Sequence, residues 1–231
     1  MIERLSRAAA TVLVGIATAV VIVALAIVPF LNPGWVAFEQ GRARADLWTG
    51  YTPAELRHAT DAILSDLVLG PPKFDVTVAG REVLNPRERA HMADVRGVFV
   101  GLAVLAAASL VVLVLAGLLA ARSRLFWRGV RGGAAGLAIG VLVVGIVGTF
   151  AFDLAFDVFH RLFFAGGTYT FDARTDRLVQ LFPDQFWFET ALALGALMLL
   201  LCVVVWRVAT DRLGAGIAHR HPASAVLEPS R

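Results

Sequence analysis

Four apolar runs, residues 8–31, 97–121, 132–152 and 186–206, constrain this chain more than any other feature. Each approaches or exceeds the ~20 apolar residues that carry a helix across a hydrocarbon core of ~30 Å. Inside such a core the backbone finds no water, so a run of this kind is helical. Hydrophobic residues make up 58% of the chain, above the roughly half-apolar usage of soluble domains. The expected fold is an all-α membrane protein with four transmembrane helices and one domain over residues 1–210. A polar tail, 211–231, is expected to be cytoplasmic and disordered. Arg4 and Arg7 ahead of the first run also resemble the start of a signal peptide. Its apolar stretch is longer than a cleaved leader needs, and it is read as a retained span.

Orientation follows from arginine placement near the spans. The turn between the second and third runs carries Arg122, Arg124, Arg128 and Arg131 without an acid, and the tail carries Arg207, Arg212, Arg220 and Arg231. Both segments are expected in the cytoplasm, so both termini lie inside. Loops 32–96 and 153–185 hold fourteen of the eighteen acids and are expected on the outer side. The net charge of +3 records this inside bias and gives no reason to expect nucleic acid as a partner. The one cysteine, Cys202, has no internal disulfide partner and reads as a small buried apolar residue.

The first outer loop carries a helix signal at Thr52-Pro53-Ala54-Glu55, a capping residue, a proline at the first helical position and a glutamate three residues after the cap. Leu56, Ala59, Ile63 and Leu67 then repeat at helical spacing, and the helix is expected to end near Gly70. His58 lies off that stripe and is expected in solvent. Phe74, Val76 and Val78 alternate up to Ala79-Gly80, and Val83 follows, which predicts a short hairpin. Helix and hairpin form the expected extracytoplasmic cap.

Asn85, Pro86 and Glu88 repeat the capping pattern, so a helix is expected to begin there and run unbroken into the second span. His91 lies on that extension, about 9 Å beyond the apolar edge. The third span is expected to continue helically past Phe152 to a stop at Gly166-Gly167, which puts His160 about 12 Å beyond its edge. The second and third spans are joined by a short turn and are expected to be antiparallel neighbours. Positions 91 and 160 are symmetric about that turn, so the two rings should meet at one level. Asp94 at i+3 from His91 and Asp157 at i−3 from His160 are the candidates to orient the imidazoles. Asp153, Asp157 and Arg161 share a face and could also be only an ion-pair ladder, with the phenylalanines as an interfacial belt. Glu189, just inside the fourth span, is expected to pair with Arg161 or Arg177, or to reach outward.

No nucleophile accompanies these rings. Ser65 is the one serine in an outer loop, and nothing in the sequence brings it to a histidine. A metal held by His and Asp is the alternative, but no His-Glu-x-x-His spacing occurs, and no metal or other cofactor is called for. General acid-base work on a substrate that brings its own nucleophile remains. A proton-coupled transporter is disfavoured because residues 97–121 and 132–152 contain no ionisable group. A non-enzymatic protein whose outer loops bind a protein partner is the other reading.

Three blocks, AHMADVRGVF (90–99), FDLAFDVFHRLFF (152–164) and TDRLVQLFPDQFWF (175–188), resemble the signature blocks of the lipoprotein intramolecular transacylase family of four-span bacterial membrane proteins. The resemblance covers nearly the whole chain to about Trp206. It implies transfer of the sn-2 acyl chain of a diacylglyceryl-cysteine to that cysteine's own α-amino group, giving an N-acyl lyso-lipoprotein. It places the paired catalytic histidines on His91 and His160. Asp94, Asp157 and Arg161 become candidates to orient them or to steady an oxyanion, and Phe156, Phe163, Phe164, Tyr169 and Trp187 to hold substrate. Implied partners are a diacylated lipoprotein N-terminus and membrane lipid, in the bacterial cytoplasmic membrane with the site facing outward. The chain departs from the family pattern at Tyr169, where a tryptophan is common, and in the first loop, which follows it loosely.

Overall fold

The computed structural model describes residues 2–120, 123–164 and 169–218. Arg122, the Gly166-Gly167 stop and the tail beyond residue 218 lie outside the described residues. In chain order the elements are α1 (Ile2–Ile27), a 3-10 turn (Val28–Leu31), α2 (Pro33–Arg42), α3 (Ala45–Thr49), α4 (Pro53–Val68), β1 (Thr77–Val78), β2 (Arg81–Glu82), α5 (Pro86–Ala120), α6 (Arg124–Phe150), α7 (Phe152–Phe163), α8 (Arg177–Leu181) and α9 (Asp184–Ala218). Four of the helices, α1, α5, α6 and α9, are long and apolar enough to cross a membrane, and they correspond to the four runs. α9 continues through Ala218, so residues 211–218, expected in the disordered tail, are helical. Leu213 explains this, since it extends the buried stripe of Ala209 by one turn.

The chain forms two compact units. One comprises α1 up to Ile22, α5 from Ala106, α6 up to Ile139 and α9 from Leu199. Here α1 and α6 touch backbone to backbone. A Cβ on Gly133 would stand 2.1 Å from the Gly15 carbonyl oxygen, and one on Gly129 2.7 Å from that of Thr11. Helices approach this closely only where glycines remove the side chain between them. Val14, Val130 and Ala209 close one layer beside the crossing, and Ile22, Ala134 and Cys202 close a second. Cys202 is a buried free thiol packed among apolar side chains.

The other unit comprises residues 23–105 and 140–198 and contains every shorter element. α4 starts as expected. Thr52 accepts from the Glu55 amide, and the Glu55 carboxylate accepts from the Thr52 amide at 2.8 Å. Its stripe of Leu56, Ala59, Ile63 and Leu67 is buried in a core shared with Val36, Phe74, Val78, Val83, Leu181 and Phe186. His58 is exposed. The hairpin turns at Ala79 and Gly80, with φ of 49° and 73°, the left-handed pair a two-residue turn of this hand requires. It is shorter than the alternation suggested. Phe74, expected to alternate into the hairpin, lies ahead of β1 at φ 51°, a strained value for a bulky residue. Its amide donates to Asp66 Oδ2 at 2.7 Å and its ring is fully buried, which holds the distortion in place.

Three short helices were not anticipated. α2 is announced by Asn32-Pro33, the cap and proline signal already recognised elsewhere, and Asn32 accepts from the Gly34 amide. Gln40 on α2 donates to the Leu181 carbonyl and accepts from Thr60, so one buried amide joins α2, α4 and α8. Glu189 differs from expectation. It pairs with Arg42 of α2, whose Nη2 lies 3.0 Å from Oε1, because α2 lies beside the start of α9.

The third span does not continue unbroken. α6 ends at Phe150, Ala151 adopts φ −145° and ψ 54°, and α7 begins anew at Phe152. Hydrogen bonds from the Ala151 amide to Val147 and from the Ala155 amide to Ala151 bracket the break, so it is a sharp bend without a loop. Gly145, Gly148 and Thr149 precede it, and Thr149 bonds its hydroxyl back to the Gly145 carbonyl at 2.8 Å. Glycine together with hydroxyl back-bonding is a recurrent cause of helix bends.

Candidate active site

His91 is delivered by the first turns of α5. Asn85 Oδ1 accepts from the Glu88 amide at 3.0 Å, and Glu88 Oε2 accepts from the Asn85 amide at 2.7 Å, closing the expected capping box. The other oxygen of Glu88 accepts from the Leu178 amide at 2.6 Å. One fully buried carboxylate therefore caps α5 and also ties α8 to it. Asp176, also buried, adds three more links. It accepts from Asn85 Nδ2 at 3.0 Å, Arg87 Nη2 at 2.9 Å and the Asp172 amide at 2.8 Å. The segment 172–178 is thereby fastened to the start of α5.

His160 comes from α7 and, despite the bend at Ala151, the two imidazoles meet. Their ring centroids are 6.1 Å apart and their planes 23° from parallel. Both residues are buried, at 5% and 9% exposure. His160 Nδ1 lies 2.7 Å from the Phe156 carbonyl oxygen. A carbonyl only accepts, so Nδ1 carries the hydrogen and Nε2 presents a lone pair. Burial holds the His160 pKa below its ordinary value, although the Phe156 carbonyl and Asp157 pull the other way. His91 Nδ1 is buried and has no hydrogen-bond partner among the described residues.

The two aspartates do not orient the rings. Asp94 is exposed and no hydrogen bond joins it to His91. Asp157 is taken by Arg161 at 2.8 Å, one turn along, and the carbonyl at i−4 reaches His160 Nδ1 in its place. Arg161 is 71% exposed in that pair and also engages Tyr169. Helical spacing puts acid and imidazole on adjacent rows, but the carbonyl lies closer to the ring.

Aromatic rings wall the pair. Phe156 lies 4.0 Å from His160 between centroids, Tyr169 5.1 Å, and Phe164 5.5 Å from His160 and 4.8 Å from His91. Trp187 contacts Phe156 at 6.4 Å. Phe163, another candidate, faces away at 51% exposure and stacks on Phe159. Phe171 was missed. Its ring packs edge-on against His91 at 5.4 Å and carries the Arg87 guanidinium 5.0 Å above its face. The alternation of Tyr169 and Phe171 ahead of Asp172 was the available signal.

The family model described as "Lipoprotein intramolecular transacylase Lit" matches residues 10–187. Among solved structures the chain resembles the membrane-integral lipoprotein intramolecular transacylase Lit from Bacillus cereus, at 20% identity and a TM-score of 0.74, covering 91% of this chain and 98% of that one. Two variants of that protein, with a histidine replaced by arginine or by alanine, match at 18% identity and a TM-score of 0.76 over 94% of this chain and 96% and 98% of theirs. No curated protein matches. At these identities the likeness in coordinates speaks for the fold, while the family match spans more than half of the sequence. This four-span membrane protein belongs to the Lit family of lipoprotein intramolecular transacylases and is an acyltransferase.

Proposed function

We propose that the chain moves the sn-2 acyl group of a diacylglyceryl-cysteine at a lipoprotein N-terminus to the cysteine's own α-amino group. The reaction runs at the outer face of the bacterial cytoplasmic membrane, and His91 and His160 carry it. The observation that carries this reading is the stacked, buried histidine pair whose hydrogen bonding is unequal, Nδ1 of His160 meeting the Phe156 carbonyl and Nδ1 of His91 meeting no partner among the described residues.

His160 is the base. Its Nε2 lone pair takes a proton from the substrate nitrogen as the amine attacks the ester carbonyl and the new N–C bond forms. The Phe156 carbonyl holds the ring in the required tautomer and supports the imidazolium while it lasts. The same proton passes to the glyceryl oxygen as the C–O bond breaks, which returns His160 to its neutral form. A substrate ammonium with a pKa of about 8 is neutral in roughly one molecule in ten at pH 7, so no strong base is needed to free it.

His91 stays neutral. A cation on a buried ring with no partner at Nδ1 among the described residues would leave a charged N–H unsatisfied. A lone pair at Nδ1 is the cheaper orphan, which puts the hydrogen on Nε2. That N–H serves as donor to the oxyanion of the tetrahedral intermediate. His160 therefore acts both as base and as acid, and His91 polarises the carbonyl.

The test is mass spectrometry of a lipoprotein N-terminus in cells carrying wild-type chain, His91→Ala or His160→Ala. Each substitution is expected to abolish the N-acyl lyso form while the protein still accumulates in the membrane. Full activity in both single variants would overturn the reading.

A further inference from the structure

His91 poses a problem that the proposed reaction leaves open. An imidazole that donates to an oxyanion needs a fixed ring plane, and active-site histidines are usually fixed by a hydrogen bond at the second nitrogen. Here that nitrogen has no partner among the described residues, and Asp94, the acid nearest in sequence, is exposed. What surrounds the ring is aromatic: Phe164 at 4.8 Å and 65°, Phe171 at 5.4 Å and 66°, and His160 stacked at 6.1 Å.

Phe164 is carried by the end of α7, but Phe171 belongs to a segment without regular structure and must be held by something else. Two links do so. The Arg87 guanidinium lies 5.0 Å over its face, and that arginine is anchored by Asp176 at 2.9 Å. The backbone next to Phe171 is anchored by the same carboxylate, which accepts from the Asp172 amide at 2.8 Å. Asp176 is 6% exposed, so its charge is compensated by these donors and by Asn85. The guanidinium on the π face of Phe171 is a cation–π contact in the favourable range of separation.

We propose that Arg87, Phe171 and Asp176 form a positioning unit for His91: the salt bridge holds the guanidinium on the phenylalanine, and the phenylalanine ring, inclined 66° to the imidazole, sets the imidazole plane in place of a hydrogen bond at Nδ1. This rests on the reading of His91 as part of the active site. None of the three touches the reacting atoms. Loss of the unit leaves the ring free to rotate about its side-chain bonds, which lowers turnover more than substrate binding, because small misplacements of a reacting group cost ten- to a hundredfold in rate.

The experiment uses the full chain in lipid nanodiscs with a synthetic diacylglyceryl-cysteine peptide and four variants: Phe171→Leu, Phe171→Tyr, Arg87→Ala, and Arg87→Ala combined with Phe171→Leu. Phe171→Leu is expected to lower kcat about tenfold with little change in KM, and Phe171→Tyr to restore it, since the aromatic edge returns. Arg87→Ala is expected to lower kcat in the same direction and to add nothing in the double variant, because it acts through the ring that is already gone. The 15N resonances of the His91 ring, read without turnover, should move in Phe171→Leu and in Arg87→Ala. Unchanged His91 resonances in both, whatever kcat does, or losses in kcat that multiply in the double variant, would overturn the proposal. If the resonances move but His91→Ala keeps full activity, the positioning unit stands and the catalytic reading of His91 falls.

Discussion

Replacing Glu88 separates a helix cap from a joint between two elements. Its Oε2 serves the half-buried Asn85 amide and its Oε1 the buried Leu178 amide, and the side chain itself is 1% exposed. Glu88→Ala removes both acceptors. The buried Leu178 N–H then costs about 1–3 kcal/mol unsatisfied, and the lost cap at Asn85 about 1 kcal/mol, so the total is about 2–4 kcal/mol. Glu88→Gln keeps the shape but offers one oxygen for two donors and points an NH2 at the other. One amide stays unpaired, which costs about 1–3 kcal/mol. At about 2–4 °C per kcal/mol for a chain of this size, the glutamine variant should unfold several degrees early and the alanine variant earlier still. Thermal unfolding in detergent measures this, and hydrogen exchange over residues 177–181 should show the Leu178 amide losing protection. A glutamine variant that melts with the wild type and keeps that amide protected would refute the two-ended role of Glu88.

The crossing of α1 and α6 gives a second outcome. Gly133→Ala puts a Cβ 2.1 Å from the Gly15 carbonyl and should lower the melting temperature clearly, while Gly136→Ala, with nothing within 4 Å of its added Cβ, should not; equal melting of the two would deny the close approach. The pH profile gives a third. The substrate ammonium, with a pKa of about 8, should make log kcat fall with unit slope below pH 8; in the proposed reaction His160 acts as base when neutral and burial holds its pKa below the usual 6.5, so the slope should steepen only below 6.5, and steepening at or above 6.5 would contradict the assignment. Stability has the same sign. A depressed histidine pKa contributes stability that is present above 6.5 and is lost as pH falls through the folded value.

Local rules made much of this fold readable. The four spans follow from length and apolarity, and the starts of α4 and α5 from the cap, proline and glutamate at Thr52 and Asn85, whose hydrogen bonds all form. The turn at Ala79-Gly80 was read from the glycine. Other features depend on partners distant in sequence. Glu189 chose Arg42, 147 positions away, and no spacing rule points there. The bend at Ala151 lies within a continuous helical pattern, so periodicity passes straight over it; only Gly145, Gly148 and Thr149 hint at weakness. The meeting of His91 and His160 was legible because the two helices share a turn and climb equal numbers of residues. Their orienting groups were not, because i,i+3 spacing from an acid is common to paired and unpaired histidines alike.

That failure points to a property of the site. A carboxylate bonded to each ring would raise its pKa and favour an imidazolium, and charges beside hydrocarbon are costly unless fully compensated. Asp94 faces solvent, and Asp157 spends its charge on Arg161. The rings are left with a neutral carbonyl on one side and aromatic edges on the other. Such a base is weaker than a carboxylate-backed histidine, and for the proposed reaction this is sufficient. The nucleophile is an amine that is already partly neutral at pH 7 and is tethered to its own ester, so proximity supplies much of the rate that an enzyme attacking with a serine must draw from a stronger base. A site for intramolecular transfer at a lipid surface can therefore dispense with both the nucleophile and the buried acid, provided that its two rings are held still.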